Sequence, residues 1–182
     1  ESAISQDTRA ILINSPHNPT GSLLSEKDIR AIYEIAEKYD LYLVSDEVYG
    51  RMVYEEGKDL GFFSPSSIDF CKKRSIIIHS LSKSYAMTGW RIGAVTGPTD
   101  VIEKMTLLLE TTSSCVSPFI QRGGVEALLG SQKRIYEMVD EYRKRRDVMV
   151  EGLNSLPGVS CFKPKGAFYV FPSCSNLLGK KD

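Results

Sequence analysis

Four short apolar runs, each halted by polar or turn-forming residues, do most to restrict the folds open to this chain. They are RAILIN (9–14), LYLVSDE (41–47), SIIIHSL (75–81) and RIGAVTGP (91–98). Each is short and rich in Ile, Leu, Val or small residues, so each reads as a core strand. The segment between the first two has a different period. Ser25 and Asp28 stand at capping-box spacing, and Ile29, Ile32, Ile35, Ala36 and Tyr39 recur at helical intervals, which predicts a helix over 26–39. Strand–helix–strand alternation in the first hundred residues predicts an α/β fold with a largely parallel, buried sheet. In such sheets ligands lie at the carboxyl ends of the strands. That rule selects three loops, 15–21, 46–50 and 80–91, all polar and all placed directly after apolar strands.

The rest of the chain is less uniform. A stretch with Gly57, Gly61 and Pro65 has no clear period. After Pro98 the pattern predicts helices over Thr99–Thr112, over Ser117–Leu129 with Pro118 in the first turn, and from Ser131 to about Leu153. The apolar face of the last helix is expected to be Ile135, Met138, Val139, Tyr142, Met149 and Leu153. Its RKRR run (143–146) reads as a solvated face, because Glu137 and Asp140 are interspersed and Lys+Arg equal Asp+Glu at 23 each. That balance gives no support for attraction to nucleic acid or a membrane by bulk charge. No apolar run approaches the length of a membrane span. Past Pro157-Gly158, VSCF and AFYVF predict two short strands joined by KPKG, as if opening a second, smaller module. Cys71, Cys115, Cys161 and Cys174 form no CxxC pair, so neither a disulfide framework nor a metal site is expected, and a reducing cytoplasm fits better.

Chemistry-bearing residues gather in the three selected loops. Lys83 follows a core strand; a lysine in a desolvated site loses basicity, and its neutral amine attacks carbonyls. Ser80 and Ser82 flank it with hydroxyl donors, and Arg91 offers a planar fork suited to a phosphate dianion. Together they suit a ligand with both an aldehyde and a phosphate. Asp46 ends its apolar run as a carboxylate that needs a positive partner, such as a protonated heteroaromatic nitrogen. Tyr49 and Asn18 can supply a phenol and an amide to a ring oxygen. Taken singly, Asn18 also reads as a turn former, Asp46 as a helix cap and Tyr49 as a packed aromatic. His17 and His79 carry no acid–base pattern.

NSPHNPTG (14–21), SDEVYG (45–50) and SLSKSYAMTGWRIG (80–93) together resemble the class I/II aminotransferases of pyridoxal-phosphate fold type I, and AMTGWRIG is most similar to the aspartate and aromatic branch. GAFYVFP (166–172) is similar to a small-domain strand of that branch. The resemblance implies that Lys83 holds pyridoxal 5'-phosphate as a Schiff base and then moves the substrate proton. It implies that Asp46 partners the ring nitrogen, that Asn18 and Tyr49 hydrogen-bond the ring oxygen, and that Ser80, Arg91 and less directly Ser82 hold the phosphate. It further implies a cis Asn18–Pro19 bond, amino-acid and 2-oxo-acid substrates, and a homodimer for the full-length protein.

Family members are roughly twice as long as this chain, and no arginine follows Arg146 to stand at the family's substrate-carboxylate position. The expectation is a fragment, inactive or nearly so alone. Residues 1–130 would be the second half of the cofactor-binding large domain, and 131–182 a linking helix with the start of the small domain. A β-lyase, or the effector-binding domain of a transcription regulator, would share Lys83 and Asp46 and remains as an alternative.

Overall fold

The computed structural model describes residues 1–54 and 61–179; Gly57 in the irregular stretch lies outside the described residues. Four strands, β1 (Ala10–Asn14), β2 (Tyr42–Asp46), β3 (Ser75–Ser80) and β4 (Gly93–Thr96), form one sheet in the order β1-β2-β3-β4. The first three run parallel and β4 is antiparallel to β3. Asn14 stands opposite Asp46, and Asp46 opposite Ile78, so the carboxyl ends of the parallel strands lie along one edge. The mixed α/β architecture and its mostly parallel sheet are those expected.

Helix α1 (Glu26–Lys38) connects β1 to β2. Its start is fixed by the predicted capping box: Ser25 Oγ accepts from the Asp28 amide at 3.2 Å, and Asp28 Oδ2 accepts from the Ser25 amide at 3.0 Å. Ile29, Tyr33 and Ala36 face the sheet and bury against Ile13, Leu41 and Leu43. Only this face is closed. On the other, Leu12, Val44 and Ile76 stand side by side in register, and Leu12 is 71% exposed. An unbroken apolar run signals that both faces of a strand avoid water, but it does not say that the same chain covers both.

Helices α2 (Ser66–Asp69) and α3 (Leu81–Ser84) flank β3, and α4 (Thr99–Thr112), α5 (Pro118–Leu129) and α6 (Lys133–Asn154) follow β4. Pro118 occupies the first turn of α5, where no helical amide partner is lost. No helix among the described residues is long and apolar enough to cross a membrane.

Four expectations need correction. Strand β4 is shorter than 91–98, because Arg91 takes a left-handed backbone (φ +51°) that cannot extend the ladder. VSCF and AFYVF form no strands, only the isolated bridges Ser160–Ser173 and Val53–Gly166. The backbone of 165–167 bonds elsewhere: Lys165 and Gly166 donate to Gly21 O at 2.9 and 3.1 Å, and Ala167 to Met52 O at 2.8 Å. Gly166 is required there, since a Cβ would lie 2.7 Å from Pro16 Cβ and Cγ. Finally, RKRR is not wholly solvated. Arg146 is 5% exposed, its guanidinium is 4.6 Å from the Tyr54 ring centroid, and Nη1 donates to Pro164 O at 2.9 Å. On the apolar face of α6, Val150 is buried where Met149 was expected, and Met149 is exposed.

Candidate active site

Strand β2 delivers Asp46 half-buried to the sheet edge, where Oδ1 accepts from the Val48 amide at 3.1 Å. Asn14, at the matching end of β1, ties this edge together. Its Nδ2 donates to Asp46 O at 3.1 Å while its Oδ1 accepts from the Asn18 amide at 2.8 Å. The loop bearing Asn18 is thereby fastened to the strand bearing Asp46. Asn18–Pro19 is cis, as the resemblance implies; Ser15–Pro16 is cis as well, which the sequence reading did not anticipate.

Lys83 lies on α3, the turn that leaves β3. Ser80 caps that turn, its Oγ accepting from the Ser82 amide at 3.1 Å. Ser84 Oγ donates to Val48 O at 3.3 Å, which holds the Lys83 turn against the loop after Asp46. Tyr49, in that same loop, is 4% exposed. Its ring meets Phe168 edge-on, with centroids 5.4 Å apart at 88°, and Lys83 Nζ stands 5.7 Å from the Phe168 centroid. Phe168 is therefore a wall shared by the amine and the phenol. Tyr49 also brings its hydroxyl to 2.6 Å from that of Tyr169.

The structure thus gathers Asn18, Asp46, Tyr49 and Lys83 about one strand edge. Ser80 and Ser82 belong to the same turn, and Ser82 is buried. Arg91 is near in backbone, because Ser80 pairs with Gly93 and the Leu81 amide donates to Ile92 O at 3.3 Å. Its side chain is exposed and donates to Thr88 O at 3.1 Å rather than toward the serines. Sequence reasoning gave no role to Asn14, Phe168 or Tyr169. Asn14 carried a positional signal as the last residue of its apolar run; the aromatic pair carried none beyond belonging to GAFYVFP.

Charge and burial define what the site can do. Burial pushes the Tyr49 phenol up and the nearby Asp46 charge adds to it, so Tyr49 stays a proton donor at neutral pH. Burial also pushes Glu47 up, opposed by hydroxyls of Ser64 and Ser45 that donate to Oε1 at 2.7 and 3.1 Å. Among the described residues neither Lys83, Asp46 nor Arg91 has an ion-pair partner. Asp46 Oδ2 has no hydrogen-bond donor there either. A carboxylate oxygen left open, an amine against an aromatic wall and the hydroxyls of the same turn suit a ligand with a ring nitrogen, an aldehyde and a phosphate, while the Arg91 guanidinium is turned to Thr88 O. No group of three or more His, Cys, Asp or Glu side chains among the described residues is arranged to hold a metal.

Comparison with known proteins adds an independent line. The family described as aminotransferase class I and II matches residues 1–181. An aspartate aminotransferase of Pyrococcus horikoshii is 42% identical over 94% of this chain, and the match takes in 43% of that protein. An aromatic-amino-acid aminotransferase of Thermococcus litoralis is 40% identical over 94% of the chain and 44% of its own length. The crystal structure of an aspartate aminotransferase from Rhizobium meliloti superposes with a TM-score of 0.91 at 36% identity, covering 98% of this chain and 44% of that one. The chain thus spans less than half the length of the relatives it matches.

Proposed function

The chain belongs to the class I and II aminotransferases, and from that membership we propose that it forms the cofactor-holding part of an enzyme that exchanges an amino group between an amino acid and a 2-oxo acid. The proposed cofactor is pyridoxal 5'-phosphate. When bound, it supplies a ring able to withdraw the electron pair left as a proton departs from the substrate Cα. Lys83 Nζ would hold the aldehyde carbon and, as a free amine, would carry that proton. The Asp46 carboxylate would keep a proton on the ring nitrogen. The Asn18 amide and the Tyr49 phenol would donate to the ring oxygen. Ser80 accepts from the Ser82 amide and so keeps its own proton for the phosphate, which Ser82 Oγ and the Arg91 guanidinium, once turned from Thr88 O, would also meet.

The observation that carries this reading is the shared wall: Lys83 and Tyr49 both contact Phe168, and Tyr49 belongs to the loop that leaves Asp46. The aminotransferase names of the relatives favour this reading over a lyase or a regulator domain. We assign residues 1–130 to the second half of a large domain and 131–182 to a linking helix and the start of a small one. Apolar helix faces described below favour a homodimer, four unpaired thiols favour a cytoplasmic setting, and the aminotransferase names of the relatives favour a place in amino-acid metabolism.

The test is chemical trapping. The full-length protein carrying this chain is loaded with pyridoxal 5'-phosphate, reduced with borohydride and digested. The phosphopyridoxyl mass is expected on the peptide containing Lys83, and Lys83→Ala loses both that mass and the visible band. A label elsewhere, with Lys83 unmodified, overturns the assignment.

A further inference from the structure

The hydroxyls of Tyr49 and Tyr169 lie 2.6 Å apart, between residues 120 positions apart in the chain. Each phenol has one proton, so one of the two must accept. If Tyr49 donated here, it would have nothing left to give a ligand. If Tyr169 donates, the Tyr49 proton is free to point into the site, and the bond it receives polarises it into a stronger donor. We propose that Tyr169 is a positioning residue for Tyr49: it donates its hydroxyl proton to Tyr49 Oη and thereby turns the Tyr49 proton toward the acceptor oxygen of the bound cofactor. The inference rests on the reading of Tyr49 given above.

The surrounding structure is built to hold Tyr169 for this purpose. The loop that starts at Tyr49 also grips the segment that carries Tyr169. Met52 O accepts from the Ala167 amide at 2.8 Å, the Tyr54 amide donates to Lys165 O at 2.9 Å, and the Tyr54 hydroxyl donates to Ala167 O. From the other side Gly166 packs on Pro16, in the loop that leads to Asn18. The Tyr169 ring contacts both Tyr49, at 5.6 Å and 80°, and Phe168, at 4.8 Å. No other partner for the Tyr169 hydroxyl occurs among the described residues. Among the described residues the Tyr169 hydroxyl thus has one hydrogen-bond partner, and that partner is Tyr49.

The experiment follows the pH midpoint of the visible absorbance band in the full-length, cofactor-loaded protein. Four forms are compared: wild type, Tyr169→Phe, Tyr49→Phe and the double variant. Tyr169→Phe keeps the ring, so a thermal melt serves as the folding control. Weakening the Tyr49 donor destabilises the ionised cofactor oxygen, so Tyr169→Phe should raise the midpoint by about half a pH unit, the scale of one neutral hydrogen bond. Tyr49→Phe should raise it further, and the double variant should match Tyr49→Phe alone. A Tyr169→Phe midpoint equal to wild type overturns the inference, as does a Tyr169→Phe shift that persists in full without the Tyr49 hydroxyl. A wild-type protein that gives no visible band at all overturns the cofactor reading and this inference with it.

Discussion

Gly166 shows how a single residue can decide a site it never touches chemically. A Cβ there would meet Pro16 at 2.7 Å and Met52 O at 3.0 Å, and neither proline ring nor backbone carbonyl can swing aside. Gly166→Ala should therefore destabilise the fold by about 1–3 kcal/mol. It should also weaken cofactor binding, because the displaced segment carries Phe168 and Tyr169. Urea unfolding and a cofactor titration check the two parts separately; an unchanged affinity would mean that the segment is not part of the site. At this scale much was legible. Lys83, Asp46, Asn18 and Tyr49 stood out because, although Asn18, Asp46 and Tyr49 each have an ordinary structural reading alone, all four fall directly after apolar strands. Tyr169 was not legible, because its partner lies 120 positions away. Arg146 misled for a related reason: a run of basic residues looks solvated unless the Tyr54 face and the Pro164 carbonyl are known to be waiting for one of them.

Among the elements, the joint between α2 and β3 depends on one buried carboxylate. Asp69 Oδ1 accepts from the Cys71 amide at 2.9 Å, and Oδ2 from the amides of Arg74 and Ser75 at 3.0 and 3.1 Å. Burial alone would raise its pKa, but the donors from Arg74, Ser75 and Cys71 together outweigh burial and hold it below its ordinary 3.8. A depressed folded-state pKa stabilises the fold above the unfolded value, and that stability is lost as pH falls through the folded one. Asp69→Asn should cost about 1–3 kcal/mol near neutral pH, since one amide oxygen cannot serve three donors. The difference from wild type should narrow below about pH 4, where the unfolded carboxyl begins to protonate while the folded one, with its lower pKa, is still ionised. Urea midpoints at neutral pH and near pH 3 measure both; a gap of constant size would refute the linkage. Helix α1 was readable to its first residue because its cap and its stripe are local. The supposed strands near the C-terminus were not, because alternation in AFYVF reports an amphipathic segment without saying whether its backbone will find a ladder or the carbonyls of Gly21 and Met52.

Across the whole molecule, the surface is less polar than a neutral, well-charged composition suggests. Leu107 and Leu108 of α4 are 64% and 63% exposed, and Phe119 and Leu129 of α5 are 70% and 83% exposed. Leu12 adds to this on the open face of the sheet. Patches of this kind mark surfaces that other protein covers. The 182-residue chain alone should bind a hydrophobic dye and self-associate. Leu108→Lys with Leu129→Lys should reduce both, with stability changed by no more than about 0.5 kcal/mol per site. Sedimentation and dye fluorescence test this, and an unaltered sedimentation profile would point to a different association surface.

The long reach between Tyr49 and Tyr169 also sets a timetable. The ribosome adds about 5–20 residues per second, so roughly 6–24 s separate the emergence of the two partners. For most of that wait the nascent polypeptide already contains Lys83, yet Phe168 and Tyr169 are not there to face it. Maturation of the pocket is thereby postponed until the segment bearing Phe168 and Tyr169 has been made, and products terminated before Phe168 should lack the ring that Tyr49 packs against.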